Sequence, residues 1–372
     1  MRYIRFCGVA AVAAAMVTGL TGGTASAADP DTVPCSGAAL AFAISYARNG
    51  EALDLRRDCT YHLSSALPAI GKDLTIRGNG ATILRDGANT AAFRIFDVSP
   101  GGDLRLQDLT VRGGYVVNGD GAGIRVASGG RLTLSKVDVV DNTASANGGG
   151  IAVASNAWAR IRSSYVAFNN ADTGGGLYTA GSVYAENSEF ARNHARTAGG
   201  GIAEAGGNTF VGTSVIRRNT AAGPVKIGGG IYVGSGTMEI DDSKITNNTD
   251  TGNRGGGIAN SGILKLVKSE VSGNVVGGAS GRGGGIYNTG GLTLKSTDVF
   301  RNSANGPGTS VGGGIANDSG SVTLDHSTVR NNASTVAPGG VFTNKLISVT
   351  ASTVTRNIPT NCSVGLVPGC TD

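Results

Sequence analysis

The chain has 372 residues, of which 62 are glycine, 15% are charged and 5% are aromatic. Glycine without a third-position repeat, beside only nine prolines, excludes a collagen triple helix and argues against a disordered linker. A 40% apolar share can build a core, few stretches suit long helices, and 31 basic against 26 acidic residues leave a mildly basic β-rich chain.

Residues 1–27 read as a secretory signal peptide: Arg2 and Arg5, an apolar stretch from Phe6 to Leu20, then Ala25-Ser26-Ala27. Cleavage there leaves 29 basic against 26 acidic residues, in a secreted protein. No later stretch reaches about 18 apolar residues, so no membrane span is expected. Residues 28–60 are expected to form an N-terminal cap with a helix over 36–49. Ser36 caps it, Leu40, Ala43, Ile44 and Ala47 give its apolar face, and Gly50 ends it. Irregular first coils are expected over 61–115, regular coils over 116–357 and a C-terminal cap over 358–372.

The regular segment is periodic. Glycine triplets or variants precede Ile124, Ile151, Leu177, Ile202, Ile231, Ile258, Ile286, Ile315 and Val341, at spacings of 25 to 29 residues. An asparagine follows each after 16 to 18 residues: Asn142, Asn169, Asn193, Asn219, Asn248, Asn274, Asn302, Asn332 and Asn357. Three and eight residues before each asparagine the side chain is apolar, and five before it stands Ser or Thr in eight of the nine repeats. Period-two columns mean strands, and a repeat near 27 residues means stacked coils of about three short strands each. The fold is therefore expected to be all-β, a right-handed parallel β-helix solenoid. Stacked asparagine amides can satisfy turn backbone that burial would otherwise orphan.

Four cysteines follow the leader. A rod separates the chain ends, so the expected disulfides are Cys35–Cys59 and Cys362–Cys370. A zinc site is the rival reading, but neither pair has the short spacing with His that zinc favours. No metal or cofactor is expected.

Gly-Gly-Gly-Ile-Tyr-Asn (283–288), Gly-Leu-Thr-Leu (291–294) and Val-Phe-Arg-Asn (299–302) resemble the β-helix repeat of polymorphic outer-membrane-type proteins. Leu-Pro-Ala-Ile (67–70) and the run 74–83 are similar to the leader coils of secreted bacterial members. The resemblance implies either an adhesin-like surface protein or, from the wider pectin-lyase-like class, a polysaccharide lyase or hydrolase. Asp241-Asp242 lacks the Gly-His-Gly and Arg-x-Lys of polygalacturonases, and Asp325-His326 lacks the calcium-site acids of pectate lyases. Glu270 and Asp298, one coil apart in one column, are the strongest candidate catalytic pair. Against them stands a solvated wall of cross-strand pairs: Arg162–Glu186, Glu239–Lys265, Asp242–Lys268, Lys295–Asp325 and Lys244–Glu270.

Two other stripes point to binding. From Ala191 onward, around the loop after each asparagine, basic residues outnumber acids ten to one, with Arg192, Arg218, Lys226, Arg254, Arg282 and Arg301 among them, Arg254 and Arg282 expected to stack in adjacent coils, and Asp250 the acid. After the triplets, Tyr178, Tyr232 and Tyr287 alternate with alanines in a column expected to face outward, free to stack on sugars or to pack on one another. The expected partner is an anionic polysaccharide or cell-wall polymer, bound by a non-catalytic monomer. Export argues against nucleic acid.

Overall fold

The computed structural model describes residues 32–87, 91–223 and 227–372; the leader expected over 1–27 and Lys226 lie outside them. The described residues form one compact unit, a parallel β-helix with one short helix among them. Each regular coil contributes to three sheets, which hold 21, 10 and 9 strands among the described residues. Strands pair in parallel with the same residues of the next coil, so Ile161 meets Ala185 and Ile231 meets Ile258.

The largest sheet bends lengthwise. In early coils one strand runs through the bend, as in Arg131–Val140, and later it divides, as into Trp158–Arg162 and Tyr165–Ala167. Leu132, Leu134, Val137 and Val139 are buried, but Ser135 and Lys136 both point outward, so the alternation slips by one residue. Lys136 takes φ +56° and absorbs the slip. Without that left-handed residue every later apolar side chain in the coil would turn to solvent. Ser163, Asn187, Thr213, Asp242, Lys268 and Ser296 repeat the device in successive coils.

Two ladders run up the stack. In the asparagine ladder, Asn219 donates its backbone N–H (2.9 Å) and Nδ2 (3.0 Å) to Oδ1 of Asn248, whose own Nδ2 reaches Ile216 O (2.9 Å) and Asn274 Oδ1 (3.0 Å). In the hydroxyl ladder, Ser243 Oγ accepts from Ser214 N–H (2.9 Å) and donates to Asp241 O (2.7 Å). The glycine triplets close around the first ladder. Gly255 takes φ +74°, a Cβ on Gly256 would stand 2.4 Å from the Val275 carbonyl, and one on Gly257 would stand 2.9 Å from the Asn274 amide. This packing links the two halves of the repeat motif.

The helix spans Gly37–Tyr46, with Ser36 Oγ accepting from Ala39 N–H (3.1 Å) and Leu40 and Ile44 buried. It ends earlier than the pattern predicts. Ala47 leaves helical geometry at ψ 138°, and Lys72 Nζ takes the freed carbonyls of Ser45 and Ala47. The disulfides are Cys35–Cys59 and Cys362–Cys370, as expected. No helix among the described residues is long and apolar enough to cross a membrane.

Candidate functional site

Three outward columns flank the two ladders, and each coil's geometry fixes them. Either side of the hydroxyl ladder, the left-handed bend residue and the residue two positions later form the walls of an axial trough. One recess of this trough, about 280 Å³, is lined by Glu270 and Asp298 with Lys244 and Lys268. Glu270 and Asp298 are register partners, so their Cα atoms lie about 4.8 Å apart. Each has its own partner: Ser272 Oγ donates to Glu270 (2.6 Å), and Arg330 pairs with Asp298 (3.6 Å).

The wall of ion pairs is partly formed. Arg162–Glu186 (3.3 Å) and Lys265–Glu239 (2.9 Å) close. Lys244 is aligned with Glu270, which takes Ser272 instead, and Asp325 holds His326 (2.6 Å) rather than the aligned Lys295.

The third column precedes the asparagine ladder, on the far side of each short strand. Its members hold positive φ, among them Phe168 (+57°), Arg192 (+54°), Arg218 (+55°), Arg301 (+55°) and Arg356 (+55°). All five side chains are exposed. Arg192 lies 5.3 Å from the ring centre of Phe168, and Phe300 carries both Arg301 (5.9 Å) and Arg330 (4.5 Å). The resulting edge has guanidinium groups interleaved with rings.

The charge segregation read from the loops is softened by acids of neighbouring columns. Arg217 pairs with Glu189 (2.6 Å), Arg196 with Asp172 (3.9 Å) and Arg282 with Asp318. Arg254 and Arg282 do bridge adjacent coils, as expected. Yet Arg254 stacks over Tyr287 (5.5 Å) and Arg282 over Phe342 (5.2 Å). Both thus pack on the aromatic column, Arg254 while still exposed and Arg282 half-buried.

The tyrosine column lies on the outward face of its strands, opposite the core isoleucines, as expected, and its rings pack on neighbours rather than standing free. Tyr287 is 6% exposed, packs between buried Ala259 and Ala316, and donates its hydroxyl to Asp318 (3.0 Å). Burial, with the Asp318 carboxylate beside it, holds its phenol above the ordinary value. Tyr178 and Tyr232 are half-buried in the same column. The rings and alanines pack on one another, and the loops that carry the arginines cover them.

A stack escaped the sequence reading. Arg160, Tyr184 and Phe210 occupy one outward column of the long strands, with Arg160 5.2 Å from the Tyr184 ring and the two rings 4.8 Å apart at 15°. All three stand nine residues before their ladder asparagines, so aligning one more column would have found them.

No family model matches the chain, so the resemblance to polymorphic outer-membrane-type repeats has no counterpart there. No curated protein matches it either. Among solved structures, the crystal structure of pectate lyase Pel9A aligns at 15% identity and a TM-score of 0.32, covering 84% of this chain and 72% of that one.

Proposed function

We propose that this is a secreted, non-catalytic rod that holds an anionic polysaccharide or cell-wall polymer along its arginine edge, as an adhesin-like protein would. The observation that carries the reading is the column before the asparagine ladder. Arg192, Arg218, Arg301 and Arg356 occupy left-handed backbone there, a conformation that costs a non-glycine residue about 1 kcal/mol or more. The fold thereby projects guanidinium groups outward in a line parallel to its axis, beside Phe168 and Phe300. Two local disulfides suit an oxidising compartment. Lys226, Tyr178 and Tyr232 keep a subsidiary place in this reading, and Arg254, Arg282 and Tyr287 serve the scaffold.

Retention on immobilised polygalacturonate tests it. Arg218 and Arg301 are the residues to change, because both are exposed and neither forms an ion pair among the described residues. The native protein should bind at low salt and weaken as salt rises, and R218E/R301E should elute at markedly lower salt. Equal retention of the double variant defeats the reading.

A second reading makes Glu270 and Asp298 the acid and base of a glycan-cleaving enzyme, and their shared recess favours it. Turnover of polygalacturonate, abolished by E270Q or D298N, would establish it.

A further inference from the structure

Two more recesses follow the bend at its N-terminal half, of about 350 Å³ and 460 Å³. Both are lined by Asp138 and Ser163, so they form one trough. It runs from the coil of Asp108 to that of Thr213, four coil steps or about 19 Å. The short strands separate it from the arginine edge.

We infer that this trough is a second binding site, for a linear uncharged polysaccharide lying parallel to the rod axis.

Direction comes first. Identical wall positions repeat once per coil, which suits a polymer whose units repeat along the same line. Chemistry comes next. The floor is already satisfied: Ser164 Oγ accepts from Val137 N–H (3.1 Å) and donates to Arg162 O (2.7 Å). The walls offer Asp138 and Glu189 as acceptors, and Ser163, Asn187 and Thr213 as both donors and acceptors. Such a mixture matches vicinal hydroxyls, and Tyr165 supplies an apolar ring on one wall. Asp138 has no hydrogen-bond or ion-pair partner among the described residues, and desolvation by the walls raises its carboxyl above the ordinary value.

Charge selects among polymers. Asp108, Asp138 and Glu189 face a single ammonium, that of Lys136. With the Arg217 guanidinium on Glu189 counted, three carboxylates face two cations, so the trough stays net negative and disfavours the polymer suited to the arginine edge. A polycation is disfavoured because Arg217 already neutralises Glu189 (2.6 Å), and because hydroxyl and amide groups alternate with the acids.

The test is calorimetric binding of uncharged hexasaccharides (1,4-linked glucose, xylose and N-acetylglucosamine) to the mature protein. At least one should bind, with little dependence on salt. Ser163 lines both recesses and holds φ +48°, close to the conformation in which this fold already holds Arg192 and Arg301. S163R should therefore fold, fill the trough and lower affinity at least tenfold. If its thermal melt shows misfolding, D138N/E189Q preserves shape and should give the same loss. The inference is overturned if no hexasaccharide binds, if the folded blocking variant binds like the parent, or if oligolysine binds in place of every hexasaccharide. Polygalacturonate retention reports separately on the arginine edge, so either reading can fail alone.

Discussion

Glu204 fills the space that a side chain on Gly236 would need: a Cβ at position 236 would stand 1.9 Å from Glu204 Oε1. Glu204 is fully buried, register-paired with Thr179 on one side and Val233 on the other. The backbone N–H groups of Gly206 and Gly236 approach its carboxyl, but neither oxygen gains a well-aligned hydrogen bond. Burial pushes this carboxyl up to about 7.

Gly236→Ala should destabilise the rod by about 1–3 kcal/mol, because Glu204 and the Gly207 carbonyl (2.7 Å from the new Cβ) both crowd it. Glu204→Ala in the same chain should recover part of that loss, a coupling that thermal melts of the four-member cycle would measure. Strictly additive effects would show that the two residues do not compete for space.

Stability should fall as pH rises through the window from about 4.5 to 7. Across that window an unfolded chain releases the Glu204 proton while the folded one keeps it, so the folded state binds more protons and loses ground. The stabilisation is complete below the unfolded value and lost above the folded one, about 3 kcal/mol in all. Urea unfolding of the parent and of Glu204→Gln at both ends of the window should show this slope in the parent alone.

The two ladders should differ in cost. Asn248→Ala strips the acceptor from two buried donors of Asn219 and the donor from Ile216 O, at about 1–3 kcal/mol per orphaned group. Ser243→Ala orphans one buried N–H, that of Ser214, and should cost about 1–2 kcal/mol. Chemical denaturation would rank them, and a reversed order would refute the assignment of the asparagines as the main turn support.

Arg282→Ala should loosen the tyrosine column without affecting polymer retention. Its guanidinium holds Asp318, which in turn accepts the Tyr287 hydroxyl, so the loss should appear as faster hydrogen exchange around Tyr287 and about 1 kcal/mol of stability. A large fall in polygalacturonate retention would return Arg282 to the binding surface.

Much of the fold was legible because its causes are local and repeated. Val139, Val166 and Phe190 recur three residues before the ladder asparagine and are fully buried, since period two leaves them one face to occupy. Gly256 and Asn274 could be read as turn residues, but their mutual contact needed the stack. The candidate sites were less legible. Sequence spacing put Glu270 beside Asp298 and Arg254 beside Arg282, and the structure keeps both adjacencies. It could not tell which outward side chain another coil covers.

The sequence alone determined a stacked β coil, its two disulfides and its inward columns, because nine repetitions of one hydrophobic and turn pattern admit one register. Tertiary structure decided which outward columns meet solvent. Tyr287 is buried because Arg254 and Asp318, 33 and 31 positions away, close over it from neighbouring turns. The trough at Asp138 and Ser163 exists because a left-handed residue in every coil folds the sheet along one line. A period of two records only which side of its own strand a residue takes. Cover and concavity depend on what other coils place beside it.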